Sequence, residues 1–480
     1  MVRYMSKEDY GTFLQVMLVL NTVIMFAFVG LPQSIFYYYP QTQDKNQLVK
    51  QTLWLGVIIS VIAALIVYLL SGKLAQWLNN PDLNYFGVFM SLLILCQGPI
   101  AFRDPILLSQ NALILNSILT ITSCLVNYIP VFLALYLGVG LKGLMLVFLG
   151  SSVVNLLIFL GMLGYYLKNE EITQLWEKKS CPLLRVSILD QIRYSFPIGL
   201  SSYIGILGKQ IDKFIISAMF LPAQFAVYSR GATEVPLINT VTYTLNDMTM
   251  SQYVTAYKKG DVAEFLRLMH VNIDKVAKIN FGVFVFLFIE GKLLMEVLYT
   301  KEYVNATPVF QAYLFLLFLS ITVYGMIPRV TGHTHQLTVA TSLSVGINIA
   351  CSFALIPFLG TLGPAIGAIV GAFAYMAYLL FCAAKGLGVA WRAIMPWKTL
   401  GMIFASALSS GLLLWGYNVC LGLVGVEGNV LVICCAFAVY TYGYLAAMNL
   451  VGLVLQEDRN YIKRWIRFNL FEFMPQERKW

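Results

Sequence analysis

Thirteen apolar stretches, each long enough at about 20 residues to cross a hydrocarbon core roughly 30 Å thick, succeed one another along the 480 residues of this chain. They lie at 11–31, 52–70, 83–102, 112–137, 140–166, 195–220, 226–250, 277–298, 307–328, 336–358, 362–383, 398–421 and 428–453. With 59% hydrophobic and only 11% charged residues, against about 25% charged in soluble domains, one water-soluble core cannot hold them. The pattern predicts an all-α integral membrane protein of thirteen transmembrane helices. The first stretch lacks the short apolar core and small-residue cleavage site of a secretory signal, so it is read as a retained crossing.

The eight cysteines fall mostly inside apolar stretches and form no paired CxxC set. They read as small buried hydrophobes, with no disulfide and no metal. The net charge of +9 comes from Lys and Arg in short connections and in the tail. This argues for membrane topology and against a nucleic-acid partner.

Sorting those connections by parity orients the chain. Twenty-two of the 32 Lys and Arg follow odd-numbered stretches, among them Lys168, Lys178, Lys179, Arg185 and Arg193 in one connection and Arg459, Lys463, Arg464 and Arg467 in the tail. Six lie on the other side and four inside stretches. The C-terminus is therefore placed in the cytoplasm and Met1 outside.

An internal duplication accounts for that beginning. Glu8-Asp9-Tyr10-Gly11-Thr12-Phe13, opening the first stretch, echoes Ala223-Gln224-Phe225-Ala226-Val227-Tyr228, opening the seventh. A lone arginine (Arg103, Arg329), an asparagine (Asn127, Asn348) and a glycine cluster (Gly138/Gly140/Gly143, Gly360/Gly363/Gly367) then recur in the same order. A full crossing, 195–220, precedes the motif in the second copy and only Met1–Lys7 in the first. The expectation is a fourteen-helix pattern with its first helix missing.

Ser6-Lys7-Glu8-Asp9-Tyr10-Gly11 near the start, Phe196-Pro197-Ile198-Gly199, Gln210-Ile211-Asp212-Lys213-Phe214-Ile215-Ile216, and Ala226-Val227-Tyr228 together resemble the Wzx-type O-antigen and polysaccharide flippases. These belong to the multidrug/oligosaccharidyl-lipid/polysaccharide (MOP) exporter superfamily. Ala226 stands where members typically carry glycine. The resemblance spans essentially the whole chain and implies two pseudo-symmetric helical lobes around a central cavity, plus two extra C-terminal helices. On this sequence that gives a five-helix N-lobe (1–167), a basic cytoplasmic connector (168–194), a six-helix C-lobe (195–383), the extra pair (384–453) and a basic amphipathic tail (454–480). It also implies flipping of a polyprenyl-pyrophosphate-linked oligosaccharide across a bacterial inner membrane by alternating access, in surface polysaccharide, O-antigen or lipopolysaccharide assembly. Membrane lipids and other polysaccharide-assembly membrane proteins are the expected partners.

Charges inside the apolar stretches are the candidate site, because an ionised group in hydrocarbon costs at least about 2.5 kcal/mol and needs a partner or water. Lys209, Asp212 and Lys213 are spaced i, i+3, i+4 and share one helix face. Arg230 and Glu234 are spaced i, i+4 on the next stretch, about as far beyond the turn at Leu221-Pro222. One reading makes the five a set of ion pairs holding a helix hairpin. The other makes Lys209, Lys213 and Arg230 a cationic surface for pyrophosphate and acidic sugars, Arg230 as the phosphate fork, with Asp212 and Glu234 orienting them or carrying a coupling proton.

Arg103 and Arg329, at cytoplasmic ends, read as headgroup anchors or as a gate. Glu290 and Glu296 near the opposite surface, and Asp247, read as solvated. His333 and His335, without carboxylate or cysteine company, read as solvated rather than metal-binding. Residues 458–471 suit a helix lying on an anionic leaflet.

No GxxxxGK[ST], GxSxG, HExxH or GxGxxG is present, so neither an enzyme nor a cofactor is expected. Two rivals to the flippase stay open. A drug or cation antiporter of the same superfamily would favour acidic cavity residues; a polytopic polysaccharide polymerase or glycosyltransferase would carry a large extramembrane loop or an acidic catalytic site.

Overall fold

The computed structural model describes residues 1–28, 30–42, 45–110, 112–173, 186–235, 238–333, 335–424 and 430–454. Among them the chain forms helices and no β-strand: α1 (Lys7–Ala27), α2 (Leu31–Tyr38), α3 (Lys45–Trp77), α4 (Asp82–Tyr85), α5 (Gly87–Ile100), α6 (Arg103–Ser109), α7 (Leu113–Tyr136), α8 (Gly140–Thr173), α9 (Ile188–Met219) and α10 (Pro222–Gly231). Then follow α11 (Ile238–Lys258), α12 (Val262–Tyr299), α13 (Thr307–Leu314), α14 (Leu316–Leu319), α15 (Met326–Val330), α16 (His335–Leu359), α17 (Leu362–Leu387), α18 (Trp391–Ile394), α19 (Trp397–Val424) and α20 (Val430–Leu450).

The helix faces suit lipid rather than water. On α3 the buried residues are small, Gly56, Ser60, Ala63, Ala64 and Ser71 among them, whereas Trp54, Ile58, Ile62, Leu65 and Leu69 are exposed. Helices packed in a bilayer approach through small residues and turn their large apolar ones outward. The α16–α17 hairpin, closed at Gly360 with φ of 55°, is the extreme case. A Cβ on Gly363, Gly367 or Gly371 would stand 2.8 Å from Ile356 N, 2.8 Å from Asn348 O or 2.6 Å from Ser344 O, so the two backbones are in direct contact.

Nine helices are long and apolar enough to cross a membrane, among the described residues. The other four of the thirteen stretches read from hydropathy fall outside these nine for two physical reasons. Those at 195–220 and 277–298 are continuous helices, but α9 carries Lys209, Asp212 and Lys213, and α12 carries Glu290, Lys292 and Glu296. Those at 226–250 and 307–328 are broken, the first into α10 and α11, the second into α13, α14 and α15. In the sequence Pro236 stands in the first break; a proline denies the ladder an N–H and crowds the carbonyl four residues back. All four stretches are consecutive.

The chain divides into two compact units, Met1–Val227 and Tyr228–Trp480. In the first, α9 packs on α1, α2 and α3, and a core of Phe28, Leu31, Ile35, Leu48, Phe102, Ile106 and Phe159 joins α2, α3, α6 and α8. In the second, Phe281, Phe284 and Phe288 of α12 interlock with Phe315 and Phe318 and with Phe404 of α19.

Candidate functional site

α9 begins at a capping box: Asp190 N donates to Ser187 Oγ (3.2 Å) while Ser187 N donates to Asp190 Oδ2 (2.9 Å). The carboxylate accepts from Ser187 N and also from Ser187 Oγ (2.8 Å), and these two bonds hold it below the usual carboxylate range. From there the helix runs unbroken through Lys209, Asp212 and Lys213, so these three do share one side. Their burial is graded: Lys209 is exposed, Lys213 half-buried, and Asp212 only 2% exposed.

Both ends of α9 are fastened by buried polar side chains that hydropathy does not single out. Near its start, Thr52 of α3 donates to Gln191 Oε1 (2.9 Å). Near its end, Gln15 of α1 donates to Ser217 Oγ (2.8 Å) and to Leu78 O (3.0 Å). Asn80 completes this cluster, donating to Gln15 Oε1 (2.6 Å) and Thr12 Oγ1 (2.8 Å). Between the two fastenings Tyr194 stacks on Tyr37 at 4.4 Å and Tyr203 on Phe26 at 4.5 Å. The Lys209/Asp212/Lys213 face is therefore carried on a rod held along its length. The only sequence sign of this was polar residues inside apolar runs.

Gly11 and Ala226, at matching places in the two copies of the motif, sit in different surroundings. A Cβ on Gly11 would fall inside the carbonyl group of Pro222 and 3.0 Å from its Cα, so the first copy of the motif needs glycine. Ala226 is fully buried with its methyl accommodated.

In the second unit Arg230 sits in the last turn of α10, where cations suit the helix dipole. Its guanidinium lies 5.8 Å from the centre of the Tyr299 ring. α10 is pinned there by Gly231, whose Cβ position is 2.7 Å from Ala306 O, and by the Tyr228 ring edge-on to Tyr313. Glu234 corrects the expected i, i+4 pairing. The helix ends at Gly231, so Glu234 lies beyond it, exposed, and accepts from Asn239 Nδ2 at 2.7 Å.

The two candidate gate arginines differ. Arg103, its side chain only 12% exposed, donates from all three guanidinium nitrogens: to Asp104 Oδ1 (3.0 Å), Ser123 Oγ (2.8 Å) and Thr120 Oγ1 (3.2 Å). It is bolted to α7. Arg329 is exposed in the last turn of α15.

Glu290 is the second correction. It is not solvated but 3% exposed on α12, and Asn418 Nδ2 of α19 donates to its Oε1 at 2.6 Å. Solvation was inferred from its distance to the helix end, and the packing of α19 over α12 overrides that. Glu296 is partly exposed, 3.8 Å from Lys301 Nζ, and Asp247 is exposed. Asp274 and Lys278 form an i, i+4 ion pair of 2.8 Å on α12. The rings of His333 and His335 are 6.2 Å apart and exposed, and no group of three metal-ligating side chains occurs among the described residues. The amphipathic stretch 458–471 lies outside the described residues.

These helices, with their charged and interrupted members side by side in the chain, define a multi-pass α-helical membrane protein. A structure of the lipid II flippase MurJ in an inward closed conformation matches with TM-score 0.61 at 13% identity, over 92% of this chain and 97% of that one. An inward-facing multidrug resistance MATE family transporter of the MOP superfamily matches at 0.52 and 15%, over 78% and 88%. A MOP superfamily transporter from Pyrococcus furiosus matches at 0.50 and 14%, over 79% and 86%. The fold is that of MOP superfamily transporters. Curated protein sequences give no match. The family model for polysaccharide biosynthesis proteins matches residues 1–250, more than half of the chain. The chain belongs to that family.

Proposed function

We propose that this protein flips a polyprenyl-pyrophosphate-linked oligosaccharide across the bacterial inner membrane by alternating access, in surface polysaccharide or O-antigen export, with its C-terminus in the cytoplasm. The observation that carries the reading is the run of charged and broken helices from α9 to α15. Interrupted or charged helices persist in a bilayer where they are buried in protein or line a water-filled path, and discontinuous helices mark binding sites in transporters. Membership in the polysaccharide biosynthesis family and the fold shared with the lipid II flippase support a lipid-linked saccharide as the substrate class.

Within each unit the chemistry suits an anion. Lys209 and Lys213 stand on the fastened α9, and Asp212 beside them orients the pair. Arg230 offers a planar fork that matches phosphate oxygens in two-point contact, held by Gly231 behind it and Tyr299 beside it. Arg103 is a structural anchor and Arg329, exposed, is the gate candidate of the two. A second reading, antiport of cationic compounds, is favoured by the buried carboxyls of Asp212 and Glu290.

The test is restoration of surface polysaccharide in bacteria lacking their own flippase, across hosts making different lipid-linked oligosaccharides. Restoration in at least one host is expected, with Arg230→Ala reducing it about 10- to 100-fold, the loss of one or two charge-assisted hydrogen bonds. Failure in every host that a matched flippase rescues, together with export of cationic dyes, would replace the proposal with the antiport reading. Full restoration by Arg230→Ala would remove Arg230 from the site.

A further inference from the structure

Glu290 is a buried carboxyl in a segment read as crossing the membrane, and the oligosaccharide site just proposed does not use it. It lies nine residues before the end of α12, about 13 Å along the axis. Its partner Asn418 is on α19, one of the nine apolar spans. The two helices run together: the Cβ position of Gly411 is 2.7 Å from Val285 and 3.2 Å from Ile289, and Phe404 meets Phe281 edge-on.

Among the described residues the surroundings of Glu290 supply no cationic partner. α13 presents Gln311, whose Nε2 donates to Phe288 O at 2.8 Å, and Phe310, which packs on Gly291. α19 presents Asn418 and Tyr417, the latter within electrostatic reach of Glu290 and of Cys435 on α20. On α12 itself Lys292 is exposed and Glu296 engages Lys301, from the turn that follows the helix. α14 carries no ionisable side chain; α18 (Arg392) and α11 (Tyr243, Asp247, Tyr253, Tyr257, Lys258) do, and these two helices meet the opposite end of α12, where Tyr253 meets Asn272 and His270 meets Ala393. Among the described residues no Lys, Arg or His pairs with Glu290.

We propose that Glu290 is a proton-binding site, loaded and emptied once per transport cycle, and that Asn418 transmits its state to α19. The proton is taken from water on one side of the membrane and returned to water on the other, with no other bond made or broken. An ionisable group enclosed in the membrane without a cation is a functional position by default. The chemistry of the pair supplies the transmission. An ionised carboxylate only accepts hydrogen bonds, and Asn418 Nδ2 meets that need. A protonated carboxyl keeps an acceptor oxygen and adds one O–H to donate, for which the amide oxygen of Asn418 is an acceptor on α19. Loading the proton therefore changes what Asn418 can pair with: the carboxylate takes only its N–H, the acid takes its N–H or its oxygen, and an amide that turns over shifts the contact between α12 and α19. The inference rests on the transporter reading for its purpose, but proton binding itself can be read without transport.

The experiment is pH-difference infrared spectroscopy on the full chain in lipid vesicles, alongside flipping driven by an imposed pH gradient. Glu290→Gln is the variant, since its amide still accepts from Asn418 and keeps the packing; unchanged melting checks the fold. The wild type is expected to show a protonated-carboxyl carbonyl band that titrates and is absent from Glu290→Gln. A gradient of about one pH unit should bias wild-type flipping up to about tenfold and leave Glu290→Gln without bias, though still able to run down a substrate gradient. An identical band in Glu290→Gln, a bias that survives the substitution, or a bias that follows sodium instead of pH, overturns the proposal. A band that vanishes with Glu290 in a protein that flips no oligosaccharide upholds the proton site and refutes the oligosaccharide reading instead.

Discussion

Substituting Gly11 by alanine adds one methyl group to an exceptionally tight place in the first unit. The new Cβ falls within the Pro222 carbonyl and 3.0 Å from Pro222 Cα, and the offending atoms are backbone, so no side chain can swing away. Either α1 must move off the α9–α10 turn or the turn must deform. Overpacking of a well-packed core costs typically 1–3 kcal/mol, and a backbone collision belongs at the top of that range. Alanine recovers about 1 kcal/mol of helix propensity, so the net destabilisation is about 2 kcal/mol. For a unit of this size that lowers the melting midpoint by on the order of 4–8 °C. Gly161→Ala on α8 is the control, because nothing lies within 4 Å of its Cβ position; it should be stabilised by about 0.5–1 kcal/mol. Thermal unfolding of the purified proteins in detergent, followed by loss of the monodisperse size-exclusion peak, reads both. If Gly11→Ala melts with or above Gly161→Ala, the close approach of α1 to the turn is wrong.

Two further substitutions test the fastening of α9. Gln15→Leu strands Leu78 O, Ser217 Oγ and one bond of Asn80 in the buried cluster, and at about 1–3 kcal/mol per orphaned group should cost more than Gly11→Ala; a Gln15→Leu/Ser217→Ala pair that costs as much as the sum of the singles would refute the coupling. At the other end, the Asp190 carboxyl is held below its ordinary range by Ser187, so it supports the folded helix start above that range and stops doing so as pH falls through its lowered value. Amide exchange at Ile188 to Gln191 should accelerate as the medium is acidified, and Asp190→Ala should show the fast rate at every pH; a wild-type rate that tracks only the chemical exchange minimum would refute it.

Much of the architecture was legible because hydropathy is a local property. The α7–α8 and α16–α17 hairpins lie at the expected residues, with Gly138, Gly140 and Gly360 in left-handed backbone at their turns. The repeat read from the sequence places Arg103 and Arg329 at equivalent points, whereas Arg103 opens α6 and Arg329 lies in the last turn of α15. The breaks were not legible, because a twenty-residue average passes over four residues such as 232–235, although Pro236 in the sequence was a sign. Glu234 was misassigned for that reason. Glu290 was misjudged for another: its burial is set by α19, more than a hundred residues away, and no window along the chain reports it. The three α9 charges were readable as a shared face because the spacing alone fixes it, but their gradation from exposed Lys209 to buried Asp212 is a tertiary property.

The glycine seam between α16 and α17 bears on how the protein is made. With Gly363, Gly367 and Gly371 laid against the backbone of the preceding helix and only a two-residue turn between them, the two helices have no gap that a lipid chain could enter. Such a pair is matched before any neighbour arrives. It can leave the translocation machinery as a finished hairpin, both crossings entering the bilayer in one event, and offer later segments a surface that is already set.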